Sequence, residues 1–139
     1  MTIEVVTQDG AKVKDLAVDE VTLPGVLGEL SILPGHKPMI IALGIGPMVL
    51  RGPFGERWFS LSGGFVEVLG DQVRVLSETC EAAEEVDGDR AKAHLEEVTT
   101  RMASMHPGMG EAWKAAEASL KKAETRLRVA ATRSASTLH

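Results

Sequence analysis

Several common features are scarce or missing in this sequence, and each absence excludes a class of protein. The 139 residues include one cysteine, Cys80, which excludes an intrachain disulfide framework and a cysteine-rich zinc site and fits a reducing compartment. The net charge is −5, so no overall cationic field attracts nucleic acid. The longest uncharged stretch, residues 38–50, contains Pro47 and is too short to span a bilayer, which takes about 20 apolar residues. Because the N-terminus also lacks a basic or apolar leader, we expect a soluble, intracellular protein.

Motifs for catalysis are missing as well. Gly44-Ile45-Gly46 lacks the third glycine of a dinucleotide fingerprint, and the sequence contains neither a Gly-Lys-Ser/Thr phosphate loop nor a Gly-x-Ser-x-Gly elbow. The four histidines show no metal-ligand spacing. Cys80 has no neighbouring partner for nucleophilic catalysis, so we expect a packed thiol. The sequence therefore predicts no catalytic residue and no metal site.

The composition changes sharply near Cys80. Eleven of the 14 glycines and five of the six prolines precede residue 81, whereas 13 of the 16 alanines follow residue 80. Glycine and proline mark turns between strands, and alanine favours helix. We therefore expect short strands in a sandwich or flattened barrel, followed by helices. The predicted strands are 2–7, 15–23, 38–43, 47–51, 57–61, 64–69 and 72–77, with a turn at Ser62-Gly63-Gly64.

The alanine-rich part predicts two helices. Apolar residues recur at alternating steps of four and three in two runs, which are separated by the helix-breaking residues 106–110. Each helix needs a partner for its apolar stripe, so an antiparallel hairpin with facing seams is expected. The first seam is Ala91, Leu95, Val98, Met102 and Met105, and the second is Trp113, Ala116, Leu120, Ala123, Leu127 and Ala130.

Charge is segregated between the two predicted helices. Residues 81–101 carry seven acidic and three basic side chains, whereas residues 110–139 carry six basic and three acidic ones. Lys114, Lys121 and Arg128 are spaced seven residues apart and form a row along the second helix, called the basic row below. Two interpretations stay open: a solvated face with acidic neighbours one turn away, or a docking surface for an acidic partner helix. Three further basic residues widen the row: Lys122, Arg126 and Arg133.

The segment between the two parts, residues 81–91, is rich in carboxylates. Asp87 suits the N-cap of the first helix and Asp89 its first turn, where negative charge complements the helix dipole. Arg90 and the basic residues of the returning helix also suit a polyphosphate, because charged donors bind phosphate oxygens strongly. A second turn-rich segment, residues 28–38, is predicted as a structural crossing between strands.

An ordered series of short motifs resembles the epsilon subunit of F-type ATP synthase. Each motif is short, but their order, combined with the change from strand-like to helix-like composition, is specific. They are spread over residues 2–133. The motifs are Gly28-Glu29-Leu30, Leu33-Pro34-Gly35-His36, Ser62-Gly63-Gly64-Phe65-Val66-Glu67-Val68, Val73-x-Val75-Leu76, Val86-Asp87-x-x-Arg90-Ala91, Leu120-Lys121-Lys122-Ala123 and Arg126-Leu127.

The resemblance implies a β + α architecture. It predicts an N-terminal ten-stranded β-sandwich in residues 1–84 and a C-terminal antiparallel two-helix hairpin in residues 85–139. It also implies a non-catalytic rotor subunit of the central stalk, which couples proton translocation to ATP synthesis and inhibits ATP hydrolysis through the hairpin. The expected partners are the gamma subunit, the membrane-embedded c-ring and an acidic helix of beta in the alpha/beta hexamer. The expected location is peripheral, on the cytoplasmic face of the bacterial inner membrane.

The resemblance also assigns roles to individual residues. Glu29 and His36 match positions that contact the c-ring and gamma, and the basic row matches positions that meet the acidic helix of beta. No cofactor is required, but some bacterial members bind ATP as a regulatory ligand. Lys122 replaces an arginine of those members and loses its planar fork, which predicts a weaker affinity or none. The matching nucleotide-binding positions are Glu81, Asp87, Arg90, Lys122 and Arg126.

Two other functions are kept as alternatives. The first is a free-standing ATP-responsive sensor, which predicts a monomer that binds ATP tightly without a stable partner. The second is a small hydrolase or cupin-like enzyme that uses Glu29 and His36, although such a site needs more convergent polar ligands than the sequence shows.

Overall fold

Ten strands followed by two helices make up the computed structural model of the chain, which describes the backbone of residues 1–137 and the side chains of residues 1–132. Arg133, which was predicted to widen the basic row, therefore lies outside the described side chains. The predicted fold class is confirmed. The helices are α1 (Gly88–Met102) and α2 (Glu111–Thr137). The strands are β1 (Thr2–Thr7), β2 (Gly10–Ala17), β3 (Glu20–Gly25), β4 (Gly28–Ile32), β5 (Met39–Ala42), β6 (Ile45–Gly52), β7 (Gly55–Ser62), β8 (Phe65–Leu69), β9 (Gln72–Leu76) and β10 (Thr79–Ala82).

The core of the sandwich lies between two five-stranded sheets. The first sheet has the order β2-β1-β9-β8-β5 and the second β10-β7-β6-β3-β4. β1 and β9 run parallel, and every other described strand pair is antiparallel. Val66 and Val68 are buried on either side of the exposed Glu67, as the predicted period of two requires. The largest buried side chains include Phe59, Ile3, Leu23, Met48 and Leu50.

One predicted strand, 15–23, is wrong, because β2 and β3 belong to different sheets. Between them the chain crosses the sandwich: the Val18 N–H donates to the Met1 carbonyl at 2.9 Å, and the Asp19 N–H donates to the Arg51 carbonyl at 2.7 Å. Val18 is buried, so apolar residues stand on both sides of the crossing although their alternation changes phase at Asp19 and Glu20. The sequence pattern also misses β4 and β10, which are short edge strands.

The predicted turn at residues 62–64 connects β7 to β8. Gly63 and Gly64 have φ angles of +72° and +102°, in the region that favours glycine. Space is also restricted, because a Cβ atom at Gly64 would lie 1.8 Å from the carbonyl oxygen of Leu76. Both the backbone conformation and the close approach of β9 therefore require glycine at position 64.

The hairpin begins at the predicted cap, where Asp87 Oδ1 accepts a hydrogen bond from the Arg90 backbone N–H at 3.1 Å. α1 packs against α2 through the predicted seams, which confirms the facing arrangement. Neither described helix combines the length and apolar character needed to cross a bilayer. The buried seam residues are Ala91 and Val98 of α1 and Ala116, Ala123 and Ala130 of α2.

A second face of α2, absent from the predicted seam, packs on the sandwich. The helix lies against β6 and β7 of the second sheet, so the hairpin is folded down onto the strands. Val129 is completely buried here, next to the half-buried Trp58 of β7. Ala83 and Val86, from the segment that joins sandwich to hairpin, complete this cluster together with Ala130 of the seam. α2 is therefore held between α1 on one side and the second sheet on the other.

Candidate functional site

A cleft of about 560 Å³ lies between one edge of the sandwich and the hairpin. On the sandwich side it is lined mainly by β2 and β10, the edge strands of the two sheets, with Thr7 of β1 and Ser60 and Ser62 of β7. On the hairpin side both helices contribute to it. The volume falls in the range of about 300–1,000 Å³ that is typical of small-molecule sites. Its basic side chains are Lys12, His94, Lys122 and Arg126, and its acidic ones are Asp9, Glu78 and Glu81.

Arg126 of α2 forms an ion pair with Glu81 of β10 through two hydrogen bonds. Its Nε donates to Glu81 Oε1 at 2.7 Å and its Nη2 donates to Oε2 at 3.2 Å. Both side chains are about two thirds or more buried, so solvent screens this pair less than an exposed one. The two-pronged contact holds the guanidinium in place and joins the hairpin to the sandwich.

Lys12 of β2 makes a second ion pair at the same edge. Its Nζ donates to Glu85 Oε2 at 2.5 Å, and this hydrogen bond raises the pKa of Lys12 and lowers the pKa of Glu85. Glu85 Oε1 also accepts a hydrogen bond from the Ala82 backbone N–H at 3.3 Å. Lys12 is therefore tied to the turn that leads from β10 into the hairpin.

The cleft brings together three of the five predicted nucleotide-binding residues: Glu81, Lys122 and Arg126. Asp87 does not line it and instead caps α1. Arg90 is exposed and does not line the cleft, but it precedes His94 by one helical turn on the same face of α1. The nucleotide-binding role of these five residues stays a prediction.

Two basic residues of the cleft, Lys12 and His94, are not among the residues predicted from the sequence. Lys12 lies in a strand sequence without any motif, about 70 residues before Glu81. Lys12 and Glu81 come to line one cleft because β2 and β10, the edge strands of the two sheets, lie side by side. His94 had a weak signal, because it follows Arg90 by one turn of the predicted helix.

The basic row divides between solvent and sandwich. Lys114 is exposed and approaches Glu111 at 3.8 Å. Lys121 and Arg128 line a groove of about 210 Å³ together with Glu29 of β4. The Arg128 guanidinium lies over the Trp58 ring, 5.5 Å from its centroid, a distance that gives a cation–π attraction. In the folded-down hairpin, two of the three residues in the row therefore face the sandwich.

The predicted partner-binding residues Glu29 and His36 lie apart. Glu29 is in β4 beside the exposed tip formed by Val26 and Leu27. β4 leads away from this tip, and β5 returns to it, since the Val26 N–H donates to the Ala42 carbonyl at 3.1 Å. His36 lies in the connection between the two strands, at the end away from the tip. This separation removes the Glu29–His36 pairing on which the enzyme alternative depended.

Cys80 confirms the prediction of a packed thiol. It is buried at the sandwich edge, and burial raises the pKa of its thiol to about 12. At neutral pH the side chain is therefore protonated and unreactive.

Comparisons with known proteins decide the family. Residues 1–83 match the family model described as the beta-sandwich domain of the ATP synthase Delta/Epsilon chain. The ATP synthase epsilon chain of Solibacter usitatus is 40% identical over 130 residues, which cover 94% of this chain and 95% of the relative. The chain belongs to the ATP synthase epsilon chain family. The epsilon chain of Geotalea uraniireducens is also 40% identical, over 82% of both chains.

Solved structures share the fold of this chain. One is from the cryo-EM structure of the Euglena gracilis mitochondrial ATP synthase, OSCP/F1/c-ring, with a TM-score of 0.69 and 23% identity over 100% of this chain and 81% of the other. Another is from the central stalk/c-ring structure of the Tetrahymena thermophila enzyme, with a TM-score of 0.57 and 17% identity over 96% and 95%. The resemblance stated from the motifs is thus confirmed. The sensor alternative is not favoured, because relatives of nearly full length are named as an ATP synthase chain.

Proposed function

We propose that this epsilon chain is a non-catalytic subunit of the central stalk of an F-type ATP synthase. There it couples proton translocation to ATP synthesis, and its hairpin inhibits ATP hydrolysis. The observation that carries the proposal is the 40% identity to an epsilon chain across both the sandwich and the hairpin. The proposed location is peripheral, on the cytoplasmic face of the bacterial inner membrane, where the sandwich is held by the rotor.

The two sheets offer different faces to partners. The outer face of the second sheet is covered by α2, whereas the first sheet exposes apolar side chains on β5, β8 and β9. Phe65 and Leu76 are cross-strand partners in this patch, and Ile40 is exposed on the neighbouring strand. Exposed apolar patches mark protein interfaces. We assign this face and His36 to the gamma subunit, and Glu29 with the nearby strand tip to the c-ring.

A pull-down from solubilised membranes of the native host tests the assignment. A tagged epsilon chain is expected to bring down the alpha, beta, gamma and c subunits in a complex that withstands salt, as read by mass spectrometry. The untagged strain, purified in parallel, gives the background. Recovery of the tagged chain alone from active membranes would contradict the proposal and favour the free-standing sensor.

Inhibition requires the hairpin to leave the sandwich. In the folded-down position Lys121 and Arg128 line the groove beside Glu29 and Trp58, so the sandwich occupies one side of the basic row while both side chains keep an exposed part. When the hairpin extends, the basic row becomes free to contact carboxylates of the catalytic hexamer. The same cations therefore serve two positions of the hairpin.

Neutralising the basic row is expected to relieve inhibition. The triple variant K114Q/K121Q/R128Q, reconstituted into the ATP synthase, should hydrolyse ATP several-fold faster than the wild type, because the extended hairpin loses its charge pairs with beta. The control is K92Q/R101Q, which removes exposed charges from α1 instead. Unchanged ATPase activity in the triple variant would count against a role for the row.

We also propose that ATP is a regulatory ligand of the cleft. Lys122 and Arg126 face the cleft from α2, and a guanidinium fork matches the geometry of phosphate oxygens. Glu81 accepts two hydrogen bonds from that fork, so a bound phosphate would have to replace it there. ATP that binds the folded-down hairpin alone would favour this state by its differential affinity for it.

Arg126 is expected to dominate ATP affinity. Replacing it with glutamine should weaken ATP binding at least about tenfold, because hydrogen bonds to charged groups contribute roughly 1.5–3 kcal/mol. R126K should recover part of the loss, since lysine keeps the charge without the fork. Isothermal titration calorimetry of the isolated chain measures both values, with R101Q as the control. Equal affinities of R126Q and wild type would exclude this site.

A further inference from the structure

Two ion pairs span the same edge of the molecule. The cations, Lys12 and Arg126, come from the sandwich and the hairpin respectively, and each lines the cleft. Their carboxylate partners, Glu85 and Glu81, belong to one short segment that joins the two parts of the chain. The segment therefore supplies anionic partners to both cations.

We propose that Lys12 is a phosphate-binding residue of the cleft, so that a bound nucleotide bridges the sandwich and the hairpin. This inference rests on the proposed ATP site. Of the residues that line the cleft, Lys12 is the one lysine or arginine supplied by the sandwich. Its ammonium group is a compact charge with three donors on a flexible stem, which suits phosphate oxygens that approach from the hairpin side.

The ion pair with Glu85 leaves Lys12 available for exchange. The side chains of Lys12 and Glu85 keep 33% and 48% of their exposure, so water solvates both groups when the contact opens. Exposed ion pairs of this kind are weak. A phosphate can therefore replace the carboxylate at Lys12, as it would replace Glu81 at Arg126.

A bridging ligand explains how the nucleotide would hold the hairpin down. Lys122 and Arg126 move with α2, whereas Lys12 stays with β2. A ligand held by both sets of cations is released in part when the hairpin extends, so its affinity for the folded-down state is higher. Removing Lys12 takes away the phosphate contact on the sandwich side. The ligand then loses part of its preference for the folded-down hairpin over the extended one.

K12Q and E85Q break the same ion pair, and comparing them shows whether Lys12 binds the ligand or only stabilises the structure. K12Q is expected to weaken ATP binding about tenfold in calorimetry of the full chain at fixed ionic strength. E85Q breaks the pair but frees the ammonium and removes a competing negative charge, and its amide oxygen still accepts the Ala82 N–H. E85Q should therefore bind ATP as well as the wild type or more tightly.

A matched control and three contrary results complete the test. K14Q removes the same charge from the same strand outside the cleft and should leave affinity unchanged. Equal weakening by K12Q and E85Q would assign Lys12 a structural role and overturn the inference. Wild-type affinity in K12Q would overturn it too, while leaving the ATP site in place. Absence of ATP binding by the wild-type chain would overturn the ATP site and the inference together.

Discussion

Replacing Trp58 with alanine is expected to release the hairpin while the sandwich stays folded. Trp58 is the largest side chain in the contact between β7 and α2, where its neighbours are alanine and valine. It also carries the guanidinium of Arg128 over its ring. Because Trp58 is half-buried, we expect a loss of about 2 kcal/mol in docking of the hairpin, below the roughly 3–5 kcal/mol typical of a fully buried aromatic residue.

Hydrogen exchange measures this release directly. Amides in the second half of α2 should exchange roughly 30-fold faster in W58A, which is the factor that corresponds to about 2 kcal/mol. Amides of β8 and β9, on the other sheet, should keep their protection. W58F retains an aromatic ring and serves as the control, with a smaller change expected. Unaltered protection of α2 in W58A would show that other contacts hold the hairpin down.

Replacing Gly64 with alanine is expected to destabilise the whole sandwich. The new Cβ atom would lie 1.8 Å from the Leu76 carbonyl oxygen, and that atom belongs to a strand rather than to a flexible side chain. The chain can relieve the clash only by separating β8 from β9 where Phe65 pairs with Leu76. We expect a loss of more than about 3 kcal/mol in the free energy of unfolding.

A second glycine provides the matched control. Gly70 has a φ of +61°, but a Cβ atom added there would meet no other atom within 4 Å, so G70A tests the cost of backbone conformation without crowding. It should cost about 1 kcal/mol. Urea denaturation at constant m-value compares the two variants. Equal losses in G64A and G70A would show that the approach of Leu76 has no energetic consequence.

Local patterns in the sequence predicted local structure well. The seams of α1 and α2 follow from a spacing that is visible within each helix, and the Asp87 cap follows from one residue at the start of a helix. The alternation in β8 and β9 is equally local. The predicted strand 15–23 is wrong because the buried Val18 lies close in sequence to the apolar residues of β3, although the chain crosses between the sheets at this point.

Features that depend on distant parts of the chain were not predicted. The burial of Val129 against Trp58 depends on how the hairpin docks, which the periodicity of α2 does not encode. The cleft was predicted in part, since the resemblance pointed to Glu81 and Arg126 as residues of one site. Lys12 was not predicted, because its place beside Glu85 results from the meeting of two sheet edges.

The parallel pairing of β1 with β9 has a consequence for synthesis on the ribosome. Val5 aligns with Val75 across this pair, so β1 lacks its neighbour β9, the central strand of the first sheet, until most of the sandwich has been translated. Contacts between such distant residues slow folding, because a long loop must close before they form. The Val- and Ile-containing β1 therefore waits with one edge open, and an unpaired strand edge of this kind makes a nascent chain prone to aggregation. The contacts between α1 and α2 are local by comparison, so pairing of the two helices does not have to wait for the closure of so long a loop.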